Sequence, residues 1–239
     1  MYPPAFDYHR PSTLSAAIAL LARHGEDAKI LAGGHSLIPA MRLRLARPTV
    51  VVDIGRIAEL NYIREGGGRI AIGATATHRA IEIDPVLLAR CPLLPEVAAH
   101  IGDVQVRNKG TIGGGLVHAD PAADWPAAML ALDAEMDIAG PKGVRTVRAA
   151  EFFLGLLQSA VESGEVLCEI RVPVTGRSVA YVKTEQRASG FALCGVAAVV
   201  DPKSGRANVG VTGVSVVPYR AAAVERALSG KTLSETAVG

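Results

Sequence analysis

Two glycine-rich strings are the part of this sequence best suited to bind an anion. They are Gly33-Gly34-His35-Ser36 and Gly113-Gly114-Gly115, and each follows a strand-like run and precedes a helix-like segment. Glycine has no Cβ and tolerates positive φ, so backbone N–H groups in such strings can converge on an anion, with help from a following helix. The two strings could hold the two phosphates of one dinucleotide from opposite sides. The alternative is two tight turns that need glycine.

Other common chemical motifs are missing. Neither string has the Gly-x-Gly-x-x-Gly spacing of a Rossmann fold. The three cysteines, Cys91, Cys168 and Cys194, form no Cys-x-x-Cys pair, so this chain alone cannot build a zinc site or a cysteine-ligated iron–sulfur cluster. His35 and His118 have no evident third ligand, so no metal site is predicted. So few scattered cysteines indicate a reducing cytoplasm.

Composition indicates an ordinary globular protein. The chain has 239 residues, which suits two modest domains. Its net charge of +2, from 25 basic and 23 acidic residues, carries no signature of nucleic-acid or membrane binding. There is no apolar run of about 20 residues that would predict a transmembrane segment. The N-terminal residues lack the basic start and apolar run of a signal peptide.

The elements around the first string alternate between helix and strand. A helix is predicted between a cap at Ser12 and a stop at Gly25, because apolar residues recur there with helical spacing. A strand at 28–31, a helix at 37–44 and a strand at 49–53 complete a small α/β unit around the first glycine string.

From residue 60 the pattern favours hairpins and short helices. Glycine turns separate β-type runs, and prolines divide the helical stretch. The predicted elements are a hairpin at 61–65 and 69–74, two helices between 77 and 100, an extended piece at 104–109, a helix at 120–132, a hairpin at 135–139 and 144–147, and a strand at 165–172. A turn-rich connection follows, where we place a domain boundary. The tail is predicted as strands near 179–184, 191–201 and 206–217 and a helix at 219–228.

The full strings around the glycines are more specific than the glycines themselves. They are AGGHSL at 32–37, QVRNKGTIGGGL at 105–116 and HADPAAD at 118–124. Together they closely resemble the FAD-binding subunit of the molybdenum hydroxylases, the family of xanthine dehydrogenase and aerobic carbon monoxide dehydrogenase. The opening residues Phe6-Asp7-Tyr8 and the segments at 165–173 and 181–183 match as well, so the resemblance covers essentially the whole chain.

The resemblance implies an α+β fold. Residues 1–175 would form a p-cresol-methylhydroxylase-type FAD-binding domain of two α/β subdomains, about 1–57 and 58–175. Residues 176–239 would form a small C-terminal α+β domain. The chain ends at Gly239, before the last helix that is usual in the family.

The resemblance also implies a cofactor site but no catalytic residue. The segment at 32–37 would hold the pyrophosphate and nearby flavin, and 111–115 the other side. Asp124 would reach toward the ribose, while Leu167 and Lys183 would flank the isoalloxazine ring, where a lysine stabilises reduced flavin. The family usually has Asn at the position of Gly115. The implied FAD-binding residues are Ala32, Gly33, Gly34, His35, Ser36, Leu37, Thr111, Ile112, Gly113, Gly114, Gly115, Asp124, Leu167 and Lys183.

The function implied by the resemblance is electron transfer within a larger enzyme. A large subunit would carry a molybdopterin cofactor and a small subunit [2Fe–2S] clusters, in a dimer of heterotrimers. FAD on this chain would pass electrons to NAD⁺, a quinone or O₂. The alternatives are a self-contained flavin oxidase with His35 as a covalent flavin anchor, and a non-catalytic scaffold whose glycine strings are only turns.

Overall fold

A computed structural model describes residues 2–175, 178–201 and 204–228. The strands are β1 (Asp7–His9), β2 (Ala28–Leu31), β3 (Val50–Asp53), β4 (Ile63–Gly66), β5 (Arg69–Gly73), β6 (Glu135–Gly140), β7 (Gly143–Arg148), β8 (Phe153–Gly155), β9 (Gln158–Ser159), β10 (Val166–Pro173), β11 (Val179–Glu185), β12 (Ala192–Val200), β13 (Ala207–Thr212) and β14 (Tyr219–Arg220). The α-helices are α1 (Leu14–His24), α2 (Leu37–Arg42), α3 (His78–Ile83), α4 (Pro85–Arg90), α5 (Leu93–Ala99), α6 (Val104–Lys109), α7 (Ile112–His118), α8 (Trp125–Ala131), α9 (Ala149–Phe152) and α10 (Ala222–Leu228). Short 3₁₀ turns lie at Gly25–Asp27 and Ala58–Leu60.

The first unit is a small parallel sheet in the order β1-β3-β2. Helix α1 covers one face of this sheet through the buried side chains of Ala17 and Leu21. The helix is capped by Thr13 and not by the predicted Ser12, since the Thr13 hydroxyl accepts a 3.2 Å hydrogen bond from the Ala16 N–H. Gly25 ends it with φ +54°, as predicted. Parallel pairing brings the carboxyl end of β2, and with it the first glycine string, to the edge of the sheet.

The second unit is an antiparallel sheet in the order β4-β5-β10-β6-β7. Both predicted hairpins, β4–β5 and β6–β7, are present. The stretch between residues 77 and 100 forms three helices where two were predicted. The extra break falls at Asp84, whose side chain caps α4 by accepting from the Leu87 N–H at 2.9 Å, with Pro85 next in the chain.

The interpretation of 104–109 as an extended piece was wrong, because these residues form α6. The valines at 104 and 106 favour strand locally, but the Asp103 carboxylate accepts from the Val106 N–H at 2.8 Å and starts a helix. The helix predicted from residue 120 begins only at Trp125, after a turn that Asp120 stabilises by accepting from the Ala122 N–H at 2.9 Å. Helix α2 ends at Arg42 and not at residue 44.

The third sheet, in the order β11-β12-β13-β14, packs on the second unit through α8. Tyr181 and Ala197 of this sheet belong to the same hydrophobic core as the second unit. Strand β13 ends at Thr212, earlier than predicted, because Gly213 adopts φ +90°. None of the helices in the described ranges is long and apolar enough to cross a membrane.

The contact between β13 and α8 leaves no room for a side chain at Gly210. A Cβ there would overlap the Ala127 carbonyl oxygen and lie 2.9 Å from its carbon. We expect Gly210→Ala to lower the free energy of unfolding by about 1–3 kcal/mol, as overpacking does, measured by urea denaturation. Gly66→Ala is the control, because a Cβ at Gly66 meets nothing within 4 Å. Equal stability of the two variants would contradict this close packing.

Candidate functional site

The loop between β2 and α2 presents a row of unused backbone donors. Gly34 turns the chain with φ +81°, and His35 and Ser36 are exposed. In the part of the chain that the structure describes, no acceptor faces the N–H groups of Gly33, Gly34, His35 and Ser36. Adjacent free N–H groups of this kind form a concave site for an anion. The first predicted string therefore has the chemistry of a phosphate cradle.

The first string packs directly on the chain that leads into the second. A Cβ at Gly33 would overlap the Lys109 carbonyl oxygen and would lie 2.8 Å from the Cα of Gly110. Backbone therefore meets backbone at this point, and only glycine fits. The fold thus brings the first string next to the residues that precede the second, although the two are distant in sequence.

The second glycine string is not a loop, which corrects the prediction. It is the first part of α7, and Thr111 is its N-cap. Its N–H groups are already used, so in this conformation they do not form a second phosphate cradle. The bonds are Ile112 N–H to Ala76 O (3.0 Å), Gly113 N–H to Ala74 O (2.9 Å), Gly114 N–H to Thr111 Oγ1 (3.2 Å) and Gly115 N–H to Thr111 O (3.0 Å).

What α7 offers instead is a face without side chains. Gly114 is exposed, and its neighbour Gly115 is half-buried. A flat group can approach the backbone of Gly114 at van der Waals distance. A Cβ at Gly115 would lie 3.2 Å from Cδ1 of Trp125, so the indole occupies the space that a side chain at this position would need.

His78 is a site residue that the sequence did not reveal. The buried imidazole accepts a 3.2 Å hydrogen bond at Nδ1 from the Trp125 Nε1–H. Burial, together with the smaller effects of the nearby His35 and Arg107, lowers the pKa of His78 to about 4. No spacing signal marks this histidine, because its place between the two strings is set only by the fold. Trp125 is fully buried and belongs to the main hydrophobic core.

Asp124 and Lys183 form a buried ion pair beside Tyr181. The Lys183 ammonium lies 3.0 Å from Oδ1 of Asp124 and donates to the His100 carbonyl at 2.9 Å. The Tyr181 hydroxyl donates to Asp124 at 2.5 Å. Burial raises the pKa of Asp124, while the hydrogen bond from Tyr181 and the charge of Lys183 oppose that rise.

This cluster changes how two predicted residues are interpreted. The Lys183 side chain is 1% exposed, so it is not an ordinary surface lysine of a strand. Asp124 makes no side-chain cap to α8. The resemblance assigned Asp124 to the ribose and Lys183 to the flavin ring, but their charged atoms are in contact. The two side chains therefore form one buried ion pair and do not lie at separate places.

Leu167 lies in the main core on β10, paired with Ile138 of β6. The backbone carbonyl oxygen of the next residue, Cys168, accepts a 3.0 Å hydrogen bond from the Ala74 N–H. A Cβ at Gly113 would lie 2.6 Å from the Cβ of Ala74. Leu167 thus belongs to the layer that supports α7 from below.

Oxygen, nitrogen and sulphur ligands are not gathered into a metal centre in the described ranges. No group of three or more His, Cys, Asp or Glu side chains there could hold a metal ion. His35 and His118 are both exposed. What the described residues offer instead is a loop of unpaired backbone N–H groups at 33–36, which suits an anionic group such as a phosphate.

A family described as the FAD-binding domain in molybdopterin dehydrogenase matches residues 4–175. The chain belongs to this family. The match agrees with the resemblance predicted from the glycine strings. This FAD-binding domain is therefore part of an oxidoreductase, and FAD is the cofactor that its site is expected to fit.

Relatives and solved structures extend the match beyond residue 175. The carbon monoxide dehydrogenase medium chain of Hydrogenophaga pseudoflava is 43% identical over 100% of this chain and 85% of that protein. The caffeine dehydrogenase subunit beta of Pseudomonas sp. is 38% identical over 97% of this chain and 80% of that protein. A structure of the Hydrogenophaga pseudoflava carbon monoxide dehydrogenase superposes with a TM-score of 0.95 at 44% identity, covering 100% of this chain and 85% of that one. The structure of quinoline 2-oxidoreductase from Pseudomonas putida 86 superposes with a TM-score of 0.93 at 36% identity, covering 99% of this chain and 84% of that one. The α+β fold is confirmed.

Proposed function

We propose that this chain is the FAD-carrying electron-transfer subunit of a molybdenum hydroxylase. The observation that carries the proposal is the contact of Gly33 with Lys109 and Gly110, which sets a row of free N–H groups beside the glycine face of α7. An anion-binding loop next to a flat, side-chain-free surface fits the diphosphate and ring system of one dinucleotide.

The chain's own residues would bind and orient the cofactor. The N–H groups of residues 33–36 would donate to the diphosphate, with Ala32 and Leu37 fixing the ends of that loop. Thr111 and Ile112 hold the start of α7, and Gly113, Gly114 and Gly115 keep its face open. Leu167 supports α7 from the core. Asp124 and Lys183 would face the flavin end as a pair.

FAD, when bound, supplies the redox chemistry by accepting electrons from a partner subunit and passing them to an external acceptor, NAD⁺, a quinone or O₂. The protein side of that task is electrostatic. The buried ammonium of Lys183 favours negative charge nearby, and Asp124 moderates that effect because it is within 3.0 Å. No acid or base on this chain is assigned a proton-transfer step.

The partners proposed follow from the relatives. One solved relative is described as a Cu,Mo-CO dehydrogenase, and another as a carbon monoxide dehydrogenase that lacks the Mo-pyranopterin moiety of its molybdenum cofactor. By analogy, a large subunit would carry the molybdopterin and a small subunit the [2Fe–2S] clusters, in a dimer of heterotrimers. The organic or gaseous substrate would then bind to the large subunit and not to this chain.

We propose a domain boundary near residue 175 and the cytoplasm as the compartment. The match to the FAD-binding domain ends at 175, and β11 begins the third sheet at Val179. We also propose subdomains of about 1–57 and 58–175, because the first sheet has its own hydrophobic cluster, which is formed mainly by residues 17–60 with Val166. The remaining residues, 176–239, would form the C-terminal domain. Free thiols at Cys91, Cys168 and Cys194 fit a reducing compartment.

Purified protein is expected to bind FAD without a covalent bond. Saturation with FAD at about 100 times its Kd should stabilise the fold by about 2.7 kcal/mol, because the ligand binds only the folded state. Thermal unfolding with and without FAD measures this effect. Acid denaturation should then release all flavin into the supernatant, as detected by flavin absorbance.

Two other outcomes would favour the alternatives. Flavin that stays on the denatured chain, and is lost in His35→Ala, would support a self-contained oxidase with His35 as the covalent anchor. Protein that takes up no FAD and gains no stability from it would support a scaffold. Co-purification of the native complex, followed by metal and iron analysis, checks the proposed partners.

A further inference from the structure

His78 is held in one tautomer by its neighbour. The Trp125 indole nitrogen is only a hydrogen-bond donor, and it points at Nδ1 of His78 from 3.2 Å. Nδ1 must therefore be the acceptor, so the ring proton lies on Nε2. The fold thus fixes a single N–H donor and its direction.

The free nitrogen of His78 lies where the two glycine strings meet. Nε2 would be 2.7 Å from a Cβ at Gly110, the same residue whose Cα approaches Gly33. No acceptor for Nε2 occurs among the described residues. In the described ranges, Thr175 Oγ1 is the only side-chain polar atom that is both fully enclosed and unpaired. The Nε2–H donor of His78 is therefore not completely enclosed, and it lies next to Gly110, where the chain meets Gly33.

The surroundings of the ring keep it neutral and rigid. Burial lowers the pKa of His78 to about 4, so at neutral pH it carries no charge. Gly110 and Gly115 both lie next to the ring and have no side chain that could cover it. At Gly115 the nearest atom of the His78 ring is 3.9 Å from the Cβ position. Such a donor is preorganised, since binding costs it no rotamer freedom.

We infer that His78 is an FAD-binding residue whose Nε2–H donates to an oxygen of the cofactor's diphosphate. This inference rests on the proposed function and adds a side-chain donor from α3 to the backbone N–H groups of residues 33–36. Trp125 is a positioning residue, because it acts on the ligand through the tautomer of His78.

Two amide variants separate this binding role from a structural one. In His78→Asn the amide oxygen can still accept from Trp125, but the side chain is too short to replace Nε2. In His78→Gln the longer amide can accept from Trp125 and donate at about the place of Nε2. We expect FAD to bind about 10- to 100-fold more weakly to the Asn variant, as the loss of one hydrogen bond to a charged group predicts. The Gln variant should bind FAD within about threefold of wild type, because it keeps that bond.

The probes are FAD and ADP, titrated calorimetrically into the protein freed of flavin. A parallel loss of ADP affinity in His78→Asn is expected, since ADP carries the diphosphate without the flavin. Trp125→Phe gives an independent test if the Asn variant does not fold, and it should weaken both ligands about threefold by releasing the tautomer. Wild-type affinity in the Asn variant, or a loss for FAD without a loss for ADP, would overturn the inference. Failure of the wild type to bind FAD would instead overturn the proposed function.

Discussion

Replacing Gly33 with alanine is expected to weaken FAD binding by about 10²- to 10⁴-fold, the loss of about two hydrogen bonds to charged phosphate oxygens. A methyl group at this position would overlap the Lys109 carbonyl oxygen. Both partners are backbone, so neither can turn aside as a side chain would. The loop must move away from Gly110, and its row of donors then no longer faces α7. Equilibrium titration with FAD measures the effect.

The stability of the protein itself should change much less than its affinity. The loop is at the edge of the first sheet, and its N–H groups stabilise nothing in the described ranges. Gly66→Ala is the matched control, because its Cβ meets no atom within 4 Å and its φ is not positive. FAD affinity of Gly33→Ala equal to that of the control would exclude this loop from the cofactor site.

Replacing Lys183 with methionine is expected to lower the free energy of unfolding by about 3–5 kcal/mol, the cost of leaving a buried charge unpaired. Asp124 would lose its cation in a site where it is 6% exposed. The double variant Asp124→Asn/Lys183→Met should be more stable than Lys183→Met alone, since it removes the stranded carboxylate. Urea denaturation of the wild type, of Lys183→Met and of the double variant, all without FAD, measures these differences. Lys142→Met, at an exposed turn, should change stability by no more than about 0.5 kcal/mol.

The pH dependence of this effect has a definite sign. Burial already raises the pKa of Asp124, and removal of Lys183 takes away a charge that lowers it. A carboxyl whose folded pKa is raised favours folding when protonated, and this contribution is lost as the pH rises through that pKa. The destabilisation in Lys183→Met should therefore be larger at pH 8 than at pH 5. A constant difference would show that Asp124 is not the affected group.

Local signals in the sequence were sufficient where backbone chemistry decides the outcome. The α/β unit around Gly33 and Gly34 follows from helical spacing, a buried strand and glycine turns, and it is found within one or two residues of the predicted bounds. Both hairpins follow from glycine turns between β-type runs. The family resemblance of the two strings predicted the fold and the class of cofactor.

Tertiary contacts decided the rest, and the sequence could not predict them. Val104 and Val106 favour a strand, but the cap at Asp103 starts a helix. The N–H of Gly113 donates to the carbonyl oxygen of Ala74, which lies in the turn after β5. His78 lies far in sequence from Trp125, and no periodic pattern relates them. The pairing of Lys183 with Asp124 likewise depends on how the third sheet packs on α8.

A crystal structure of the protein with FAD bound would test the proposed cofactor site. We expect diphosphate oxygens about 2.7–3.2 Å from the N–H nitrogens of residues 33–36, with the flavin reaching toward Asp124 and Lys183. A diphosphate bound elsewhere, with these N–H groups still facing solvent, would contradict the proposed site.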